Sequence, residues 1–282
     1  MTPQTHSDHI AEIIEALAEV IENPDPHPAI VEALGLDWSR DGFTELFDFD
    51  LPPYASYYLS VGPVLGGEPV AFLRDLLANY LPPQVQPAQP DSLAFLLRLV
   101  SLLERNDSPQ RAMAIVYESL SPWIFTYAQA AQRFAPPGLS PIGRVLQEIY
   151  EQWRVELNAA SALPYLLRSA PLAAPDTFEA KPLLDYLLSP VMSGLVIPRS
   201  ELIRSARRHG LGVRPGGRRF SFESLLTTSP SQTLDILLNA VDEQLPWYDE
   251  AHDPIACWWS ARLKRTASLI TDLRAQVDEQ QN

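Results

Sequence analysis

Apolar residues recur at intervals of three and four along most of the chain. Ile10, Ile13, Ile14, Leu17 and Ile21 fall on one face of a helix, with Ser7 or Asp8 placed to cap its start. Pro24, Pro26 and Pro28 end it, because proline lacks the N–H that the next turn needs. The spacing predicts a second helix over 70–81, closed by Pro82 and Pro83. Asp91 or Ser92 caps a third over 93–104, in which Leu93, Phe95, Leu96, Leu97, Leu99, Val100, Leu102 and Leu103 leave almost no polar face. A helix apolar nearly all round belongs in the middle of a bundle. Ser108 and Pro109 begin a helix running to Leu120, Pro122 stands in the first turn of another, and Ser140-Pro141 opens a longer one over 142–163.

The segment SAPLAAP, 169–175, reads as a linker. Beyond it the pattern predicts helices over 180–188, 199–209, 222–227, 231–245 and 254–278, with Gly210 as a C-terminal stop. Leu234, Leu237, Leu238, Val241 and Leu245 again mark one buried face. Period-two alternation is confined to 193–198, around Leu195-Val196-Ile197, enough for one short strand at most. The 27 prolines fall mostly between helices, where they punctuate. The expected fold is therefore an all-α multi-helix bundle. Its expected division is a helical domain over 1–173 and a helical C-terminal extension over 174–282.

Charge changes this picture more than composition does. The net charge of −14 is concentrated in residues 1–100, which hold 3 Lys+Arg against 15 Asp+Glu. Such a surface repels nucleic acid and anionic lipid and attracts basic peptides. The first ten residues lack a basic region and an apolar core, so no secretory leader is read there. With a single cysteine, Cys257, the expected location is the cytoplasm.

Catalytic chemistry is thinly represented. The histidines His6, His9, His27, His209 and His252 stand at no metal-ligand spacing with a cysteine or carboxylate in a core helix. There is no G-x-S-x-G, no Walker pattern and no dinucleotide-binding glycine pattern. Gly66-Gly67 and Gly216-Gly217 read as turns. Cys257, beside Trp258 and Trp259, reads as a buried, inert thiol. Arg218-Arg219-Phe220 reads as a surface loop, since no apolar run follows it. No enzymatic activity, cofactor or metal is expected.

Three segments taken in order resemble one family. Leu51-Pro52-Pro53-Tyr54-Ala55-Ser56-Tyr57-Tyr58 is similar to a proline–aromatic–Ser–aromatic stretch at a helix start. Gln89-Pro90-Asp91-Ser92-Leu93 stands where the family carries Glu-Pro-x-Asp-His. Ser119-Leu120-Ser121-Pro122-Trp123 resembles its His-Leu-x-Pro-Trp, and 143–153, with Tyr150, continues the pattern. The family is that of the TorD/DmsD/NarJ chaperones of molybdenum-containing oxidoreductases. Gln89 replaces the Glu, Ser92 the signature His, and Ser119 the second His. The resemblance spans about 7–170.

The resemblance implies a maturation chaperone that carries no cofactor of its own. Its partner would be the precursor of a molybdopterin-containing oxidoreductase, held as a twin-arginine signal peptide or as the apo-subunit until the cofactor is inserted. Neither nucleic acid nor stable membrane insertion is expected, and the chain would be a monomer or a helix-swapped dimer. The signal-binding residues it implies are Tyr54, Ser56, Tyr57, Tyr58, Gln89, Pro90, Asp91, Ser92, Leu120, Pro122 and Trp123, with Asp48 and Asp50 as further carboxylates for the two arginines. Two rival readings stand beside it. One is a nucleic-acid-binding regulator using Arg204, Arg207, Arg208, Arg214, Arg218 and Arg219. The other is a helical scaffold with no signal-peptide role.

Overall fold

The computed structural model describes residues 3–62, 65–81, 87–106, 108–157, 162–175, 178–214, 216–249 and 253–281. It is all-α, and the described residues form no strand. The chain divides into two compact units, one of 1–59 with 65–168, the other of 60–64 with 169–282.

The first unit contains α1 (Pro3–Glu22), α2 (Pro28–Ala33), α3 (Arg40–Phe43), α4 (Ala55–Leu59), α5 (Glu68–Leu77), α6 (Leu93–Arg105), α7 (Pro109–Ile115), α8 (Ile124–Phe134), α9 (Pro141–Leu157) and α10 (Tyr165–Ser169). α1 packs on α6, burying Ala11, Ile14, Leu17, Ala18 and Ile21 against the apolar helix foreseen at 93–104. Only Leu102 of that helix's leucines is exposed. α8 packs on α9, whose buried Ile142, Leu146, Ile149 and Trp153 follow the 3.6-residue period. Gly143 lets these two backbones touch, since a Cβ there would lie 2.5 Å from the Ala128 carbonyl oxygen and 2.6 Å from the Gln132 nitrogen.

Two helices end in widened turns. α3 continues as a π-helical stretch over Thr44–Asp50, and α7 as another over Val116–Leu120. The Leu51 N–H reaches the Leu46 carbonyl and the Ser121 N–H reaches the Val116 carbonyl, both at 2.7 Å and both five residues back. A proline follows each donor, and its ring restricts the residue before it. Wide turns of this kind recur at functional sites, and here each leads directly into a motif segment. Pro122 stands in the turn before α8, which starts at Ile124, not in its first turn.

The second unit holds α11 (Ala180–Leu187), α12 (Pro190–Ser193), α13 (Arg199–Arg208), α14 (Arg218–Thr228), α15 (Pro230–Gln244), α16 (Pro246–Asp249) and α17 (Pro254–Gln281). α15 packs on α17 through Leu234, Leu237 and Val241 on one side and Leu263, Ile270 and Leu273 on the other. Asp253 caps α17 by accepting the Ala256 N–H at 2.8 Å. The stretch 193–198, for which the sequence allowed one short strand at most, forms none. Its residue Val196 instead exchanges both main-chain groups with the Gln244 amide, at 3.0 and 2.7 Å, so a side chain takes the place of a neighbouring strand. Gly210 ends α13 with φ +71, as expected of a C-terminal stop.

Two further expectations are corrected in this unit. Cys257 is exposed, because it lies on the outer face of α17 while Trp259 takes the buried position. Arg218, Arg219 and Phe220 form the first turn of α14, not a loop. The arginines of the rival nucleic-acid reading are partly engaged within the protein. Arg204 and Arg208 both donate to the buried Glu201, at 2.8 and 2.6 Å, and Arg219 donates to Asp185 at 2.6 Å.

Candidate functional site

The three motif segments meet in the first unit. An antiparallel bridge joins Tyr54 to Ser92, made by Ala55 N–H to the Asp91 carbonyl and Leu93 N–H to the Pro53 carbonyl, both at 2.9 Å. The Tyr54 hydroxyl donates to Gln89 Oε1 at 3.2 Å, on the same seam. Trp123 lies flat on Tyr58 at 5.1 Å and 19°, which ties in the third segment. Tyr127 meets both rings edge-on, at 5.7 Å from Tyr58 and 5.6 Å from Trp123.

Asp91 plays a part that its position in the sequence conceals. Ser92, not Asp91, stands at the cap of α6. The buried Asp91 carboxylate turns to the other segment and accepts the Ser56 N–H at 3.2 Å, in the first turn of α4. A five-residue helix cannot hold itself in water, so this bond and the bridge keep α4 in place. Asp91→Ala should therefore destabilise the unit by about 1–2 kcal/mol. It should also speed exchange of the Ser56 amide, read by hydrogen–deuterium exchange.

Burial divides the expected site residues. Ser56, Tyr58, Pro90, Asp91, Leu120, Pro122 and Trp123 are buried. Tyr54, Tyr57 and Ser92 are half-buried, and Gln89 is exposed. Trp123 spends its indole N–H on the Ser119 carbonyl at 2.9 Å. Ser119, which replaces a family histidine, is buried with its hydroxyl donating back to the Ile115 carbonyl at 2.5 Å. Asp50 is buried and held within the protein, so it is not a surface carboxylate. Asp48 is exposed, and beside it stands Phe49, 59% exposed. Neither Phe49 nor Tyr127 was singled out in the sequence. The i, i+4 spacing of Trp123 and Tyr127 was the available signal for the second.

The electrostatics of this face are acidic. Burial raises the pKa of the Tyr54 hydroxyl, and the carboxylates of Asp91, Asp48 and Glu22 push it in the same direction, while the bond to Gln89 opposes them. Glu19 and Glu22 share Arg98, with the Glu19 contact at 3.5 Å. Both pairs are partly exposed and worth little to stability.

Tyr127 is fully buried, its hydroxyl meets no partner among the described residues, and burial raises its pKa far above the ordinary value. An unfolded tyrosine ionises near pH 10. Above that pH the unfolded chain loses a proton that the folded chain keeps, so stability present below about pH 10 falls as pH rises. Denaturation midpoints measured in alkaline buffers should drop for the natural chain and drop less steeply for Tyr127→Phe.

Comparison with known proteins adds a family to this geometry. Residues 4–129 match the family model described as nitrate reductase delta subunit. That family is one of molybdoenzyme maturation chaperones, and the matched span includes all three segments that meet at Tyr58. A search of curated proteins finds no match to the chain. Among the described residues no helix is long and apolar enough to cross a membrane.

Proposed function

We propose that the first unit binds the N-terminal signal, or the apo form, of a molybdopterin oxidoreductase subunit before its cofactor is inserted. The observation that carries this reading is the convergence of the family's motif segments on one acidic, aromatic face. Asp48 and Glu22 offer charge to arginine side chains. Phe49, Tyr54 and Tyr57 offer aromatic surface to the apolar residues of a leader. The buried members, Tyr58, Trp123 and Asp91, are frame: they set where the exposed ones stand. Twin-arginine export signals, with two adjacent cations and a short apolar stretch, suit such a face.

Calorimetry with twin-arginine signal peptides tests the proposal. Saturable binding at micromolar concentrations is expected, and it should weaken as salt rises. Asp48→Lys should weaken it by about 1 kcal/mol. A peptide with both arginines replaced by glutamine should bind less well. Absence of saturable binding to every signal peptide tried would overturn the proposal.

A further inference from the structure

Most of the second unit, 169–282, lies outside the span matched to the family, and the unit carries an open groove of about 690 Å³. Ligand pockets fall at roughly 300–1,000 Å³. One wall is Val61 and Gly62, another is Ala173, Ala174 and Pro175, and α11 and α12 supply Tyr186 and Met192. Three of the large apolar side chains that stand in solvent belong to this region or adjoin it in sequence: Val61 at 58%, Leu172 at 65% and Phe220 at 48% exposed. An apolar surface of that kind marks an interaction site more often than an accident of folding.

Polar contacts hold each wall, so the groove is preformed. The Ser189 hydroxyl accepts the Gly62 N–H at 2.8 Å and donates to the Asp185 carbonyl at 2.7 Å. The Arg262 guanidinium donates to the carbonyls of Ala170 and Pro171 and lies over the Trp258 ring at 4.4 Å. That contact fixes the chain just before the 173–175 wall. The Tyr186 hydroxyl is spent on Thr266 at 2.7 Å, which leaves its ring to the groove.

The main chain of 171–175, which leads into and forms that wall, says what kind of ligand fits. Pro171 and Pro175 keep it out of helix, and Pro175 drives Ala174 toward extended backbone. Among the described residues, the N–H and C=O groups of Leu172, Ala173 and Ala174 have no protein partner. A lipid chain gains nothing from such groups, whereas an extended peptide pairs with them as an added strand does. On the rim, Arg219 is neutralised by Asp185, and exposed Lys181 stands as a cation with no ion pair among the described residues.

We propose that this groove binds an extended apolar segment of a partner protein, flanked by a carboxylate, along the main chain of Ala173 and Ala174. It is a second binding site, independent of the reading given for the first unit.

Fluorescence polarisation on the full chain tests it with three labelled peptides. The first alternates Val and Ala and is flanked by Glu, the second is flanked by Lys, and the third is the first with alternate amides N-methylated. The Glu-flanked peptide should bind saturably. N-methylation should weaken it about tenfold, because main-chain bonds are lost. The Lys-flanked peptide should bind several-fold more weakly, and Lys181→Glu should reverse that preference. Ala174→Glu, in an accessible stretch of chain, should abolish binding with an unchanged thermal midpoint. No saturable binding, equal binding of the N-methylated or Lys-flanked peptide, or retained binding in Ala174→Glu would overturn the proposal.

Discussion

Trp123→Ala should destabilise the first unit by about 3–5 kcal/mol, whatever it does to partner binding. The indole is fully buried and stacked on Tyr58, with Tyr127 against its edge. Truncation would leave a cavity the size of a double ring under α4 and orphan the Ser119 carbonyl. A loss of that size is a large part of the roughly 5–15 kcal/mol that holds a typical domain together. Urea denaturation followed by circular dichroism reads it directly. Tyr57→Ala is the control, since Tyr57 is only half-buried and should cost far less. A Trp123→Ala protein that melts like the natural chain would mean that the indole packs loosely and is free to face a ligand.

Gly143→Ala should also destabilise, although helix propensity argues the other way. Alanine is favoured over glycine inside a helix by about 1 kcal/mol. Here the new methyl would meet the Ala128 carbonyl oxygen at 2.5 Å and the Gln132 nitrogen at 2.6 Å. Both atoms are main chain of α8 and cannot swing aside as the end of a side chain can. α8 and α9 must separate, opening the packing around Leu146 and the Gln132–Gln147 hydrogen bond at 2.7 Å. Overpacking of this kind costs about 1–3 kcal/mol, enough to outweigh the gain in propensity. The same denaturation experiment decides it, and a stabilised Gly143→Ala would show that the two helices do not approach this closely.

The helices were legible because their apolar spacing is regular and prolines separate them. Ends were less legible. α1 begins at Pro3, earlier than the Ser7 or Asp8 cap, and α14 begins at Arg218, in a segment read as a surface loop. The prolines at 82 and 83 lie outside the described residues. At the site, the motif segments could be read but not their division into frame and surface. Tyr58 and Tyr57 are neighbours of one type, yet the helical turn sends one into the core and leaves the other half in solvent. Asp91 precedes a helix and so reads as its cap. Its bond to Ser56, thirty-five positions away, is a tertiary contact that no local rule anticipates. Cys257 beside two tryptophans shares their segment but not their face of α17. The excursion of 60–64 into the second unit has no marker in composition, and neither does the groove it helps to line.

The central claim is that a partner's leader or apo-subunit is held on the face carrying Asp48, Phe49, Tyr54, Tyr57 and Gln89. Hydrogen–deuterium exchange of the chain, with and without a saturating twin-arginine signal peptide, tests it most directly. Slowed exchange in peptides covering 44–58 and 88–93, with little change over α15 and α17, is the expected result. Slowing confined to other segments, or none at all under conditions where the peptide is bound, would contradict it.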